Sequence, residues 1–254
     1  MGEGEEMTLI DELLEAARPG DGAVADVRVG ISWTGVLGGR AGRLGLAKTY
    51  AVPAHAYVRD FGRLQGKRLM ELAEYVRSWN LVEAGIGLAA LNAAFEPRGR
   101  SGVNALDVIA EEGRGKKVVM VGRFPQTDAI RESAREFYVL ELDPCLIDTE
   151  RGVLPSTVAD HVVPGSDIVA ITGSAIANKS IEHLLRLSRD AGAYTIVLGP
   201  STPMSDVLFD HGADAVAGVE VKDPAAVLRK ISQSGGMINE RAYPGEIAFR
   251  YWER

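Results

Sequence analysis

From residue 117 to residue 221 the chain alternates apolar runs of strand length with amphipathic stretches. The runs are KVVMVG, FYVLEL, DIVAITG, YTIVLGP and DAVAGVEV. Helical spacing of apolar residues falls near 128–136, 180–191, 203–211 and 224–233. Val, Ile and Leu in near-continuous runs predict strands buried on both faces, and the intervening helices predict a parallel sheet covered on both sides. Local signals agree. Pro224 follows the cap candidate Asp223 at a helix start, and Gly192 and Gly212 stand where helices should stop.

The opening third reads differently. TLIDELLEAA, residues 8–17, places Leu9, Ile10, Leu13, Leu14 and Ala17 on one helical face behind a capping Thr8. VADVRVGISW alternates Val27, Val29, Ile31 and Trp33 against polar or small residues, which predicts a strand. AKTYAV predicts a second strand after a glycine-rich loop at 35–45, so that the two form a hairpin or small meander. Helices follow at 67–78 and 81–95, the latter so rich in Ala and Gly that neighbouring backbone must pack close to it. The polar stretch EPRGRSG, residues 96–102, predicts a linker. The expected organisation is an α+β domain over 1–100 and an α/β domain with a Rossmann-like parallel sheet over 101–254.

Composition narrows the function classes. At 254 residues and 46% hydrophobic content the chain can build substantial cores. A formal net charge of -7 gives no basic face for nucleic acid. With no apolar window of spanning length and an acidic start, MGEGEEMTLIDELL, the expectation is a soluble cytoplasmic protein without a membrane partner. A single cysteine, Cys145, excludes an internal disulfide and a cysteine-cluster metal site. His55, His161, His183 and His211 show no metal-binding spacing. Neither a Walker A sequence nor a GxSxG elbow is present.

In an open parallel sheet, ligands collect where strands end and helices begin. Three of the first four strand exits carry a glycine beside hydroxyl or amide side chains, in VGRFP, ITGSAIAN and LGPSTPMSD. At the second exit, ELDPC, Glu141 and Asp143 straddle the ~20-residue offset from Gly122 at which dinucleotide folds place a ribose-binding carboxylate. GRFPQT supplies only one of the GxGxxG glycines, and Pro125 stiffens the turn, which suits a compact ligand better than an extended pyrophosphate.

VGRFP, ITGSAIAN, GPSTPMSDVLFDHGADAVAG and KDP, in this order, resemble the DUF364 family, labelled a "putative heavy-metal chelation" domain. GISWTGV, GLAKTY and GLAALNAAF resemble the DUF4213 domain that precedes it in such proteins. The resemblance implies an N-terminal domain like that of enolases, a Rossmann-like C-terminal domain and a ligand site in the cleft between them. It also implies a link to metal handling or to anaerobic cobalamin-type pathways. The positions it carries over are Gly122, Arg123, Phe124 and Pro125; Thr172, Gly173, Ser174 and Asn178; Gly199, Pro200, Ser201 and Thr202; and Asn92 in the N-terminal domain.

Two readings of the site stay open. In one, a metal ion or metal-bearing compound is held, although these residues offer hard oxygen donors where soft metals prefer thiolate and imidazole. A direct metal site would need Cys145, a histidine and Glu141 or Asp143 to converge. In the other, the crevice serves a transferase or oxidoreductase that uses an adenosine-containing cofactor, S-adenosylmethionine or NAD. No catalytic residue and no metal ligand is assigned. A homodimer is compatible with the sequence, and the aromatic end YPGEIAFRYWER is expected to act as an interface or as a strap onto the N-terminal domain.

Overall fold

A computed structural model of the chain describes residues 7–50 and 57–254. The acidic first residues, His55 and the end of the AKTYAV strand lie outside them. The chain opens with helix α1 (Leu9–Ala17), where Thr8 and Asp11 form a capping box. Strands β1 (Val24–Val29), β2 (Trp33–Gly38) and β3 (Arg43–Lys48) follow as an antiparallel meander. Helices α2 (Leu69–Ala73) and α3 (Leu81–Ala94) complete this part.

Two expectations for the meander need correction. The run 24–33 is two strands rather than one, because the backbone turns at Gly30, whose N–H donates to Trp33 O at 2.9 Å. The glycine-rich segment 35–45 is paired strand for most of its length. Its glycines answer a packing demand. Along β3, Leu44 and Leu46 point to one side and pack with Leu228 and Ile231, while Ala47 faces the side covered by α3. A Cβ at Gly45 would lie 2.1 Å from Ala89 O and 2.3 Å from Ala93 N, so α3 lies directly on the β3 backbone.

A short strand β4 (Arg100–Ser101) and helix α4 (Ala105–Glu112) lead into the large sheet. Its elements are β5 (Lys117–Val121), α5 (Asp128–Ser133), β6 (Glu136–Glu141), β7 (Val153–Pro155), α6 (Ala159–Val162), β8 (Ile168–Thr172), α7 (Ile181–Asp190) and β9 (Tyr194–Leu198). The last are α8 (Val207–Asp210), β10 (Ala215–Val221), α9 (Pro224–Ser232) and β11 (Ile247–Glu253). The sheet order is β7-β6-β5-β8-β9-β10-β11-β4, parallel from β7 to β10. Numbered along the chain, the parallel strands run 3-2-1-4-5-6, the Rossmann order, with its switch point between β5 and β8.

The alternation within the apolar runs now has a meaning. Val119, Val121, Val169 and Ile171 face a core shared with α7 and with the helices of the N-terminal unit, whereas Val118, Met120, Ile168 and Ala170 face α4. One apolar core therefore runs from α1 and α3 into the large sheet. The terminal aromatic segment is largely strand: β11 pairs antiparallel with β10 over its whole length, and Tyr243 and Ile247 pack in one cluster with Leu44 and Leu46 of β3. The helix expected over 203–211 is a single turn, since Pro203 and Met204 lie in non-helical backbone before it. No helix among the described residues is long and apolar enough to cross a membrane.

Because Gly45 meets backbone that cannot swing aside, Gly45→Ala should destabilise the protein by about 3 kcal/mol in urea unfolding. Gly236→Ala, where an added Cβ meets nothing within 4 Å, should stay within about 0.5 kcal/mol of the parent.

Candidate functional site

The carboxyl ends of β5, β6, β8 and β9 are level: Val121 pairs with Leu140 and with Ile171, and Thr172 pairs with Leu198. Their exit loops consequently touch. Gly122 has φ +90°, and a Cβ there would lie 3.0 Å from Thr172 Cγ2. The Phe124 ring sits 3.4 Å from where a Cβ of Gly199 would be. Gly173 abuts Thr202, and Ser174 Oγ lies 3.2 Å from Ser201 Oγ.

The N-terminal unit closes over these loops. The backbone N–H of Lys48, at the end of β3, donates to Ser201 Oγ at 2.9 Å. Tyr50 donates its hydroxyl to the carbonyl of Ser174 at 2.7 Å. Burial pushes the Tyr50 phenol up to about 12, so it stays a neutral donor. Between the two units opens a cavity of about 1210 Å³.

Most of the residues expected from sequence line it. Gly122, Arg123, Phe124 and Pro125 contribute from the β5 exit, and Thr172, Ser174 and Asn178 from the β8 exit. Gly199, Pro200 and Ser201 contribute from the β9 exit, and Glu141 and Asp143 from the β6 exit. Gly173, Thr202 and Asn92 do not line it. Gly173 and Thr202 are buried behind the wall, against each other. Asn92 lies on α3 and donates Nδ2 to Leu46 O at 2.7 Å, which satisfies an edge carbonyl of β3.

Several of the polar side chains are already occupied. Glu141 accepts N–H bonds from Arg123 (3.2 Å), Leu142 (2.7 Å) and Asp143 (3.0 Å), so it holds the Gly122 turn against its own. Asp143 caps the next turn through Cys145 N–H, at 2.9 Å. Asn178 accepts from Ser180 N–H and Oγ before α7.

Sequence reasoning missed the opposite wall, formed by Trp33, Lys48, Tyr50 and Trp79. Only the quoted GISWTGV and GLAKTY stretches pointed there. It also missed Lys179, held at φ +68° with Nζ donating to Ser78 O and Ala177 O, each at 2.6 Å. That ammonium bridges the units without a carboxylate partner among the described residues, and burial pulls it down to about 8.

The donor set does not suit a bare soft metal ion. Among the described residues no group of three or more His, Cys, Asp and Glu side chains converges as a metal site. Cys145 is exposed and outside the cavity wall. His183 meets Asp160 at 3.2 Å and Arg186 at 2.9 Å, and His211 meets Glu12 at 3.2 Å. The convergence that a direct metal site requires is therefore not found among them.

Against known proteins, residues 104–247 match the family model DUF364 and residues 10–95 match DUF4213, both described as "Putative heavy-metal chelation". The chain is 28% identical to a solved protein of unknown function from the DUF364 family of Desulfitobacterium hafniense, with a TM-score of 0.79 and 97% of each chain covered. A second solved structure, from Pyrococcus horikoshii, shares the fold at 22% identity, a TM-score of 0.78 and coverage of 97% of this chain and 98% of that one. An uncharacterized protein of Methanocaldococcus jannaschii is 27% identical over 166 residues, and the match spans 62% of each chain.

Two pH dependences follow. The raised Tyr50 contributes stability that is complete below about pH 10 and lost as pH climbs through about 12. Tyr50→Phe should cost about 1 kcal/mol at pH 8, and the gap should close at alkaline pH in urea titrations. Lys179 has the opposite sign. Its lowered value penalises the fold below about pH 8, and the penalty fades towards pH 10.5. Urea midpoints should therefore rise over this range relative to Lys179→Met, and parallel curves would show that the ammonium is not desolvated.

Proposed function

This chain belongs to the DUF364 family, and on that premise we propose that the crevice between its two units binds one small organic molecule, bare or metal-bearing, through backbone amides and hydroxyl groups. The observation that carries this reading is the meeting of three strand-exit loops at a Rossmann switch point, under a lid of side chains from the other unit. A cavity of about 1210 Å³ is far larger than an ion needs and fits a ligand of cofactor size. The family's chelation label is best reconciled with this donor set if any metal arrives already held by an organic compound, because no three-donor cluster is formed among the described residues. We further propose that the chain divides near residue 100, between a 1–100 unit and a 101–254 unit, so that the ligand lies at their seam.

A second reading, an adenosine-containing cofactor such as S-adenosylmethionine or NAD, draws on the 3-2-1-4-5-6 strand order and on Glu141 at the end of the second strand. Its weakness is that Glu141 already accepts three backbone N–H bonds.

Thermal-shift measurements with S-adenosylmethionine, NAD, Zn²⁺ and Co²⁺, followed by a wider set of organic compounds, test both. A crevice ligand at 100 times its Kd stabilises by ~2.7 kcal/mol. That gain should vanish in Pro200→Trp, which fills the cavity without removing an N–H. A nucleotide-dependent gain abolished by Glu141→Ala favours the cofactor reading. A gain from bare ions alone, unchanged in Pro200→Trp, would contradict the crevice reading.

A further inference from the structure

The same cavity carries an unusual balance of side chains. Lys48 and Arg123 line it from opposite units, both exposed, and neither has a carboxylate within ion-pair distance among the described residues. Other cations at this seam are matched. Arg250, also on the wall, is held by Glu220 at 2.8 Å, and Lys179 by two carbonyls. The acids of the wall are engaged by near neighbours: Glu141 accepts three N–H bonds, Asp143 caps its turn, and Asp160 meets His183. In a chain of net charge -7, Lys48 and Arg123 are thus the cations of this wall that no carboxylate pairs among the described residues.

Much of the remaining wall is apolar and exposed. Ile31, Trp79, Leu142, Leu146 and Met237 are among the most exposed large hydrophobic side chains described, and all five line this cavity. Trp79 is 85% and Ile31 78% exposed. Such a concentration at one mouth marks a surface that a ligand covers. Trp33 and Phe124, both half-buried, line it as well.

Resting on the crevice reading above, we propose that the site selects an anion with a flat, largely apolar body: an aromatic carboxylate, sulfonate or phosphate. Lys48 and Arg123 meet its charge, and Trp33, Phe124 and Trp79 stack against its rings. The Lys48 ammonium lies over the Trp33 ring, 5.7 Å from its centroid, which brings charge and ring together on one wall.

The test uses two dyes of one ring frame, 1-anilinonaphthalene-8-sulfonate, an anion, and N-phenyl-1-naphthylamine, which is neutral. Fluorescence titration of the full chain should give dye binding that Pro200→Trp abolishes. The double variant Lys48→Ala, Arg123→Ala should weaken the sulfonate about tenfold and leave the neutral dye within about twofold. Sulfonate binding should also weaken with salt. If the double variant leaves the sulfonate unchanged, or weakens both dyes alike, while Pro200→Trp still removes them, the choice of an anion is overturned and the crevice reading stands. If both dyes bind Pro200→Trp unchanged, the crevice reading falls as well. Should Pro200→Trp fail to melt cooperatively, Leu142→Glu, at an exposed wall position, replaces it. That variant should weaken the sulfonate more than the neutral dye, and equal binding would overturn the proposal.

Discussion

The structure turns on the free edge of β3. A strand at the border of a sheet presents N–H and C=O groups that must find partners. Here the carbonyl of Leu46 is met by Asn92 from α3, and the N–H of Lys48 by Ser201 from the β9 exit loop. The first bond fastens the strand to its own helix. The second fastens the small sheet to the large one at the edge where ligands collect in open α/β folds. Tyr50, two residues on, repeats the tie on the β8 exit through Ser174. Satisfying one strand edge thus places an aromatic and cationic wall opposite three glycine-bearing loops.

Packing makes that docking firm. α3 can lie on β3 because Gly45 and Ala47 keep the facing surface bare, and the α3 and α1 side chains then continue into the core that covers one face of the large sheet. The two units are therefore joined by buried apolar surface as well as by hydroxyl-to-backbone bonds. Lys179 adds a third kind of contact, an ammonium spanning the seam to Ser78, whose own hydroxyl donates to the buried Glu83 at 2.6 Å.

The large sheet was legible in the chain because its strands are buried on both faces, so KVVMVG or DIVAITG admits little but a central strand. The strand-exit glycines were legible for the same reason: once the strands are placed, their ends are placed. The meander was legible as such but not the extent of its strands, since glycine in GVLGGRAGRLG reads as loop when only the neighbouring helix reveals why a side chain is absent. β7 has three residues and β4 two, too short to carry a period. Asn92, the position carried over in the N-terminal domain, bonds to β3 and does not line the cavity. Of the wall of Trp33, Lys48 and Trp79, the GISWTGV and GLAKTY stretches gave only a hint, because its residues meet the loops only through tertiary contact.

Amide hydrogen exchange at Lys48 tests the central tie most directly. In the parent protein this N–H should exchange slowly, and in Ser201→Ala it should exchange about tenfold faster or more. The N–H of Thr49, bonded to Ser32 O at 3.0 Å within the small sheet, should keep its rate. Unchanged exchange at Lys48 in Ser201→Ala would show that β3 does not dock on the β9 exit loop, and would remove the geometric basis for the crevice.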